Sequence, residues 1–115
     1  MIFADVDHFK QYNDTYGHPA GDAALCEIVR ALQAESGPGD MVARVGGDEL
    51  AIVMPTIEPA TFPAHVTRLQ AVLRVQTRVS ASVGGAVWAP TMQQPADLLE
   101  AADRQMYAAK RARPA

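Results

Sequence analysis

Two acidic clusters carry the side chains of this 115-residue chain best suited to chemistry. One is Asp5-Val6-Asp7, which ends the apolar run Met1-Ile2-Phe3-Ala4. The other is Asp48-Glu49, which follows Gly46-Gly47 between two strand-like runs, residues 41–45 and 49–54. Taken singly, each has an ordinary explanation: Asp often caps a strand end or turn, and a Gly-Gly turn followed by acids is often a solvated hairpin. Taken together they suit a hard divalent cation. Mg²⁺ takes oxygen ligands, keeps several waters, and is held by a few carboxylates plus substrate phosphates. No Cys/His spacing supports zinc. Strand alternation turns Asp5 and Asp7 to one side of a sheet. The paired glycines predict a tight hairpin that uses their tolerance of positive φ.

The elements that must position these groups follow from periodicity. A strand over residues 1–7 leads into a short helical segment with Phe9, Tyr12 and Tyr16 at helical spacing, ending at Gly17-His18. Pro19 suits the start of a second helix, whose apolar stripe is Leu25, Ile28, Val29 and Leu32. Gly37-Pro38-Gly39 breaks that helix. The hairpin follows and is closed by Pro55. A helix over 59–74 carries Phe62, Val66, Leu69 and Leu73. A strand over 79–88 contains Gly84-Gly85, which signals a bulge or a close backbone approach. A last helix over 95–111 uses Leu98, Leu99, Ala102 and Met106. The order β-α-α-β-β-α-β-α predicts an α/β, sandwich-like α+β domain, a central mixed sheet flanked by helices. The first strand and the hairpin then lie side by side, bringing Asp5 next to Asp48 and Glu49. Palm-type nucleotidyl enzymes use that arrangement to hold ions for phosphoryl transfer.

Composition limits the alternatives. A chain with 49% hydrophobic and 20% charged residues reads as one globular domain over residues 1–115. No apolar run approaches the roughly 20 residues of a membrane span, and no signal peptide is evident. A net charge of −3 argues against an extended nucleic-acid footprint. The single Cys26 fits a reducing cytoplasm and reads as buried filler in its helix. Lys110, Arg111 and Arg113 gather at the C-terminus. They suit a solvated tail, a helix end favoured by the macrodipole, or a phosphate contact.

The block from Asp5-Val6-Asp7-His8-Phe9-Lys10-Gln11-Tyr12-Asn13-Asp14 through Gly17-His18-Pro19-Ala20-Gly21-Asp22 closely resembles the signature of the GGDEF domains, the diguanylate cyclases. Arg44-Val45-Gly46-Gly47-Asp48-Glu49-Leu50 resembles the motif that names them. Ser80-Ala81-Ser82-Val83-Gly84-Gly85-Ala86 is similar to the family's penultimate core strand, and residues 101–110 to its C-terminal helix. The resemblance implies condensation of two GTP molecules into cyclic di-GMP with release of pyrophosphate. It implies Mg²⁺, with Mn²⁺ as the alternative ion, at Asp5, Asp48 and Glu49 and the Val6 carbonyl. Asp48, with Glu49, would be catalytic, Asp48 helping to deprotonate the attacking 3′-hydroxyl. Asn13 and Asp22 would read guanine, whose N1–H and N2–H₂ donors a carboxylate accepts and adenine lacks on that edge. Phe9, Lys10, His18, Gly46, Gly47 and Lys110 complete the implied substrate contacts. Lys10 and Lys110 meet phosphates, and the glycines allow close approach of backbone to phosphate. His18 equally suits a side chain tying down the turn before Pro19. Each domain would hold one GTP, so turnover would need a homodimer, with no nucleic-acid or membrane partner.

The chain departs from the family at four places. The helical segment that precedes the family's first strand is absent, as is any upstream sensory domain. These losses leave a catalytically weak or inactive GTP-binding or protein-interaction module as the alternative function. Leu50 replaces phenylalanine, a change between apolar residues expected to shift packing by about 1–2 kcal/mol. The family's inhibitory Arg-x-x-Asp becomes Gly37-Pro38-Gly39-Asp40, which retains Asp40 and loses the bidentate guanidinium, so no tight product feedback is expected. Beyond Lys110 the family's final turn and strand are missing. Pro114 stands at its phosphate-binding arginine, which leaves open whether Arg111 or Arg113 substitutes.

Overall fold

Alternation along Ile2-Phe3-Ala4-Asp5-Val6 gives this strand two different faces, and both are used. The computed structural model describes residues 1–112. It runs β1 (Ile2–Val6), α1 (Phe9–Tyr16), α2 (His18–Ala34), β2 (Met41–Arg44), β3 (Glu49–Val53), α3 (Phe62–Gln76), β4 (Ala81–Gly85) and α4 (Pro95–Ala112). Ile2, Ala4 and Val6 join Leu25, Ile28, Leu32, Leu50, Ile52, Leu69 and Leu73 in the main core. Phe3 turns the other way and packs with Ala51, Ala102 and Met106 beneath α4. Among the described residues no helix is long and apolar enough to cross a membrane.

The four strands lie in the order β2-β3-β1-β4, and every pairing is antiparallel. This corrects the expected mixed sheet. Each helical crossover, β1 to β2 and β3 to β4, passes over a neighbouring strand before rejoining the sheet. The strands that run parallel are therefore never adjacent, as in split βαβ units. The free edge of β4 is covered by one side chain: Gln70 of α3 donates from Nε2 to the Ala81 carbonyl at 2.6 Å and accepts from the Val83 N–H at 3.0 Å. A strand edge capped in this way cannot recruit another strand there.

Gly84 marks the close approach that its sequence suggested, with no break in β4. A Cβ there would run into the backbone of α4 at Gln105 and Met106. The regular strand stops at Gly85, short of the expected 88. Two packing expectations also need correction. Cys26 is exposed, because it lies one position past Leu25 and off the buried stripe. Leu99 is 41% exposed, so Ala102 and Met106 form the buried face of α4.

Candidate functional site

Sheet register builds the acidic part of the site. Asp5 stands opposite Glu49 of β3 on one side and Ser82 of β4 on the other. The Val6 N–H donates to the Asp48 carbonyl at 3.0 Å, which fixes the hairpin loop to the end of β1. Lys110 reaches down from the last turns of α4, its Nζ 3.1 Å from Asp5 Oδ2. Asp5, Val6, Asp48, Glu49 and Lys110 are thus brought together.

The electrostatics of this group are those of incompletely neutralised acids. Burial is the main force pushing the Asp5 carboxyl above its ordinary range; Lys110 opposes the shift and the Asp48 charge adds to it. Glu49 is also raised, first by burial and then by the charges of Asp103, Asp5 and Asp48. Asp5 Oδ1 is closed off from water and has no hydrogen-bond partner. Among the described residues no three acids form a ready-made metal cage. An oxygen-only cluster with an unpaired buried oxygen still fits Mg²⁺, which relies on few carboxylates and completes its shell with phosphates and water.

Asp103 escaped the sequence reading. It lies two helical turns before Lys110, a spacing that puts both on one face of α4 and could have identified it. With Phe3, Val45, Glu49, Leu99 and Glu100 it lines a cleft of about 410 Å³ beside the carboxylates. Arg44 also went unassigned. Its Nε donates to the Gly46 carbonyl at 3.1 Å and its Nη2 to the Gly47 carbonyl at 2.6 Å, so the strand that enters the hairpin fastens its tip.

The hairpin differs in detail from expectation. Residues 45–48 form the loop, closed by Val45 and Gly46 N–H groups donating to the Glu49 carbonyl at 2.9 and 3.2 Å. Neither Gly46 nor Gly47 has positive φ; Gly17 and Gly39 are the glycines that do. A Cβ on Gly47 would meet no protein atom within 4 Å, and one on Gly46 only Glu49 Cβ at 3.4 Å. The fold itself does not demand glycine at these positions. What they leave is open space beside Asp48.

A second group lies on α1 and α2. Gly17, with φ 91°, breaks the chain between the helices, and Pro19 follows in the first turn of α2. Asn13 of α1 packs on Gly21 of α2, and its Oδ1 is buried without a partner. Asp22, His18 and Lys10 are exposed, and Phe9 is partly buried against the main core. The turn into α1 places His8 at φ 54°, a left-handed conformation uncommon outside glycine and a mark of local strain.

Asp7 does not join the acidic group as a free ligand. Its carboxylate accepts from Ser80 Oγ at 3.0 Å and from Ser82 Oγ at 2.7 Å. Asp40 is likewise engaged, its Oδ2 accepting from the Gly37 N–H at 2.8 Å. The Arg111 guanidinium lies over the Tyr107 ring, 5.2 Å from its centroid. Arg113, the other candidate for a phosphate contact, lies outside the described residues.

The family profile described as "Diguanylate cyclase, GGDEF domain" matches residues 1–114. The chain is 35% identical to the bifunctional diguanylate cyclase/cyclic di-GMP phosphodiesterase MucR of Pseudomonas aeruginosa, over 96% of this chain and 17% of MucR. It is 33% identical to the diguanylate cyclase TpbB of the same species, over 96% of this chain and 28% of TpbB. The chain therefore spans less than a third of these curated relatives. Among solved structures, the GGDEF domain of PA1120 (YfiN or TpbB) superposes with a TM-score of 0.87 at 32% identity, covering 97% of this chain and 75% of that one.

Proposed function

Because the chain belongs to the GGDEF family of diguanylate cyclase domains, we propose that it binds GTP with a divalent cation and condenses two GTP molecules into cyclic di-GMP. Two copies face each other, each presenting one GTP, and two pyrophosphates leave. The observation that carries this reading is the meeting of Asp5, Asp48 and Glu49 at the end of β1, with Lys110 on Asp5 at 3.1 Å. Asp5, Asp48, Glu49 and the Val6 carbonyl would hold Mg²⁺ or Mn²⁺. The chemistry such a cation would supply is neutralisation of triphosphate charge and polarisation of the phosphorus under attack.

The chain's own groups do the rest. The Asp48 carboxylate accepts the proton of the attacking 3′-hydroxyl, a general-base role that requires only hydrogen-bond reach. Asp22 and Asn13 read the guanine edge, where adenine would leave their polar groups unpaired. Phe9 lines the base side, and His18 lies beside the nucleotide. Lys10 and Lys110 meet phosphates as point charges. The open space at Gly46 and Gly47, with Arg44 fastening the loop, admits the triphosphate next to Asp48.

The test is incubation with GTP and Mg²⁺ at high protein concentration, followed by chromatography, beside an Asp48→Ala control. Cyclic di-GMP from the wild type alone supports the reading. GTP binding without product sinks the cyclase assignment and leaves a GTP-binding regulatory module.

A further inference from the structure

Among the described residues Gly21 is the one glycine inside a helix, in the first turns of α2, and it is buried there. Glycine is a poor helix residue, since it loses the most backbone freedom on folding, so its presence calls for a local reason. The reason is visible in what a side chain would strike. A Cβ at position 21 would overlap Asn13 Oδ1, lie 2.8 Å from Asn13 Cγ, and press on Phe9 Cζ at 3.2 Å. These are ends of side chains that can move, unlike the helix backbone that blocks a Cβ at Gly84. The fold could therefore accommodate alanine by letting the Asn13 amide swing away. What it could not keep is the present seat of that amide, whose Oδ1 is buried and unpaired.

We propose that Gly21 is a positioning residue for base recognition: its bare Cα forms the seat that holds the Asn13 amide in place. The inference rests on Asn13 being a guanine reader. Gly21 touches no nucleotide itself; it sets where Asn13 stands, while its neighbour in sequence, Asp22, supplies the carboxylate. Seated side chains read a base with less ordering on binding than free ones, and moving a polar group off its partner forfeits that hydrogen bond. Nucleotide specificity would then depend on the contact between two helices as well as on the groups that face the base.

The test is a double-mutant cycle with Gly21→Ala, Asn13→Ala and the double variant. It is read by calorimetric titration with a non-hydrolysable GTP analogue and its ATP counterpart, and by thermal unfolding. Gly21→Ala should unfold at the same or a higher temperature, because alanine is the better helix former. It should bind the GTP analogue about tenfold more weakly, the loss of about one hydrogen bond, with weaker discrimination against the ATP analogue. In the Asn13→Ala background the same change should have no further effect, a coupling that a purely structural glycine would not show. The side-chain NH₂ signals of Asn13 should shift in the nucleotide-free Gly21→Ala protein. Wild-type affinity in Gly21→Ala overturns the proposal. So does a loss that persists in full without Asn13, or a large fall in unfolding temperature, which would make Gly21 a packing residue. Failure of the wild type to bind the GTP analogue overturns the functional reading itself and this inference with it; the other outcomes bear on Gly21 alone.

Discussion

Replacing Gly84 with alanine tests how the sheet holds the cationic end of the site. Gly84 is buried in β4 directly beneath α4, and a Cβ there would overlap the amide nitrogen and Cα of Met106 and the carbonyl carbon of Gln105. All three are helix backbone and none can swing aside. The helix must lift as a unit, by on the order of 1 Å, before normal carbon contacts are restored. That lift opens the small core under α4, where Ala102 is 0% and Met106 4% exposed. Overpacking of this kind costs about 1–3 kcal/mol, sometimes more. The stiffer alanine backbone returns about 0.5–1 kcal/mol. The net loss is about 1–2 kcal/mol, which for a domain of this size lowers Tm by roughly 4–8 °C. Lys110 stands one helical turn beyond Met106, so the displacement also draws its Nζ away from Asp5, now at 3.1 Å. Thermal unfolding by circular dichroism reads the first effect. Titration with GTP reads the second, expected as a several-fold weaker affinity from misplacement of the proposed phosphate contact. A Tm within about 2 °C of wild type, with unchanged GTP affinity, would refute the claim that the bare Cα of Gly84 sets the height of α4.

Three further outcomes follow from the site. Glu49 has a raised pKa, so the folded state holds its proton more tightly than the unfolded one; the stability this lends is complete below the ordinary glutamate range and is lost as pH climbs through the raised value. Glu49→Gln should therefore raise Tm near neutral pH in chelator, with the gain fading in acid, and a constant difference across pH would contradict the charge explanation. Arg44→Ala frees the Gly46 and Gly47 carbonyls from an exposed side chain, so stability should change by less than about 1 kcal/mol while cyclic di-GMP formation drops by about tenfold through loss of loop positioning. Equal activity of the two proteins would count against Arg44 as the fastener. Calorimetry should detect no sub-micromolar binding of cyclic di-GMP at residues 37–40, because position 37 lacks a guanidinium and Asp40 is already bonded to the Gly37 N–H at 2.8 Å.

Much of the acidic group was legible because it depends on local rules. Strand alternation and the Gly-Gly turn pick out Asp5, Asp48 and Glu49, while the pairing of β1 with β3 that sets Asp5 opposite Glu49 is a long-range contact seen in the register. The antiparallel sheet was not legible, since periodicity says which residues face inward but not which strand a crossover skips. Two errors came from treating a stripe as uniform. Cys26 lies beside the stripe of α2 and is exposed, and Leu99 lies where α4 has not yet settled on the small core. The glycines of the hairpin were read by the commonest turn types, but a four-residue loop bends without positive φ. Arg44 and Asp103 act only once the hairpin tip and α4 are in place; the spacing of Asp103 from Lys110 hinted at a shared face and no more.

The distribution of unmet polar groups links the two halves of the site. Among the described residues, the buried side-chain atoms left without a hydrogen bond are Asp5 Oδ1 and Asn13 Oδ1. Such an atom costs about 1–3 kcal/mol in a fold that gains nothing from it. Elsewhere the chain takes care to avoid that cost: Asp7 is met by two serine hydroxyls, and even the free edge of β4 is capped by Gln70. One of these atoms belongs to the acidic group and the other to the α1–α2 group. These are also the groups through which the proposed nucleotide site would meet a cation at one end and a base at the other, and each could gain a partner on binding only by turning toward the ligand. Local rules are expected to fail where a protein binds and reacts, and here they fail at the two places where the proposed nucleotide site would meet phosphate and guanine.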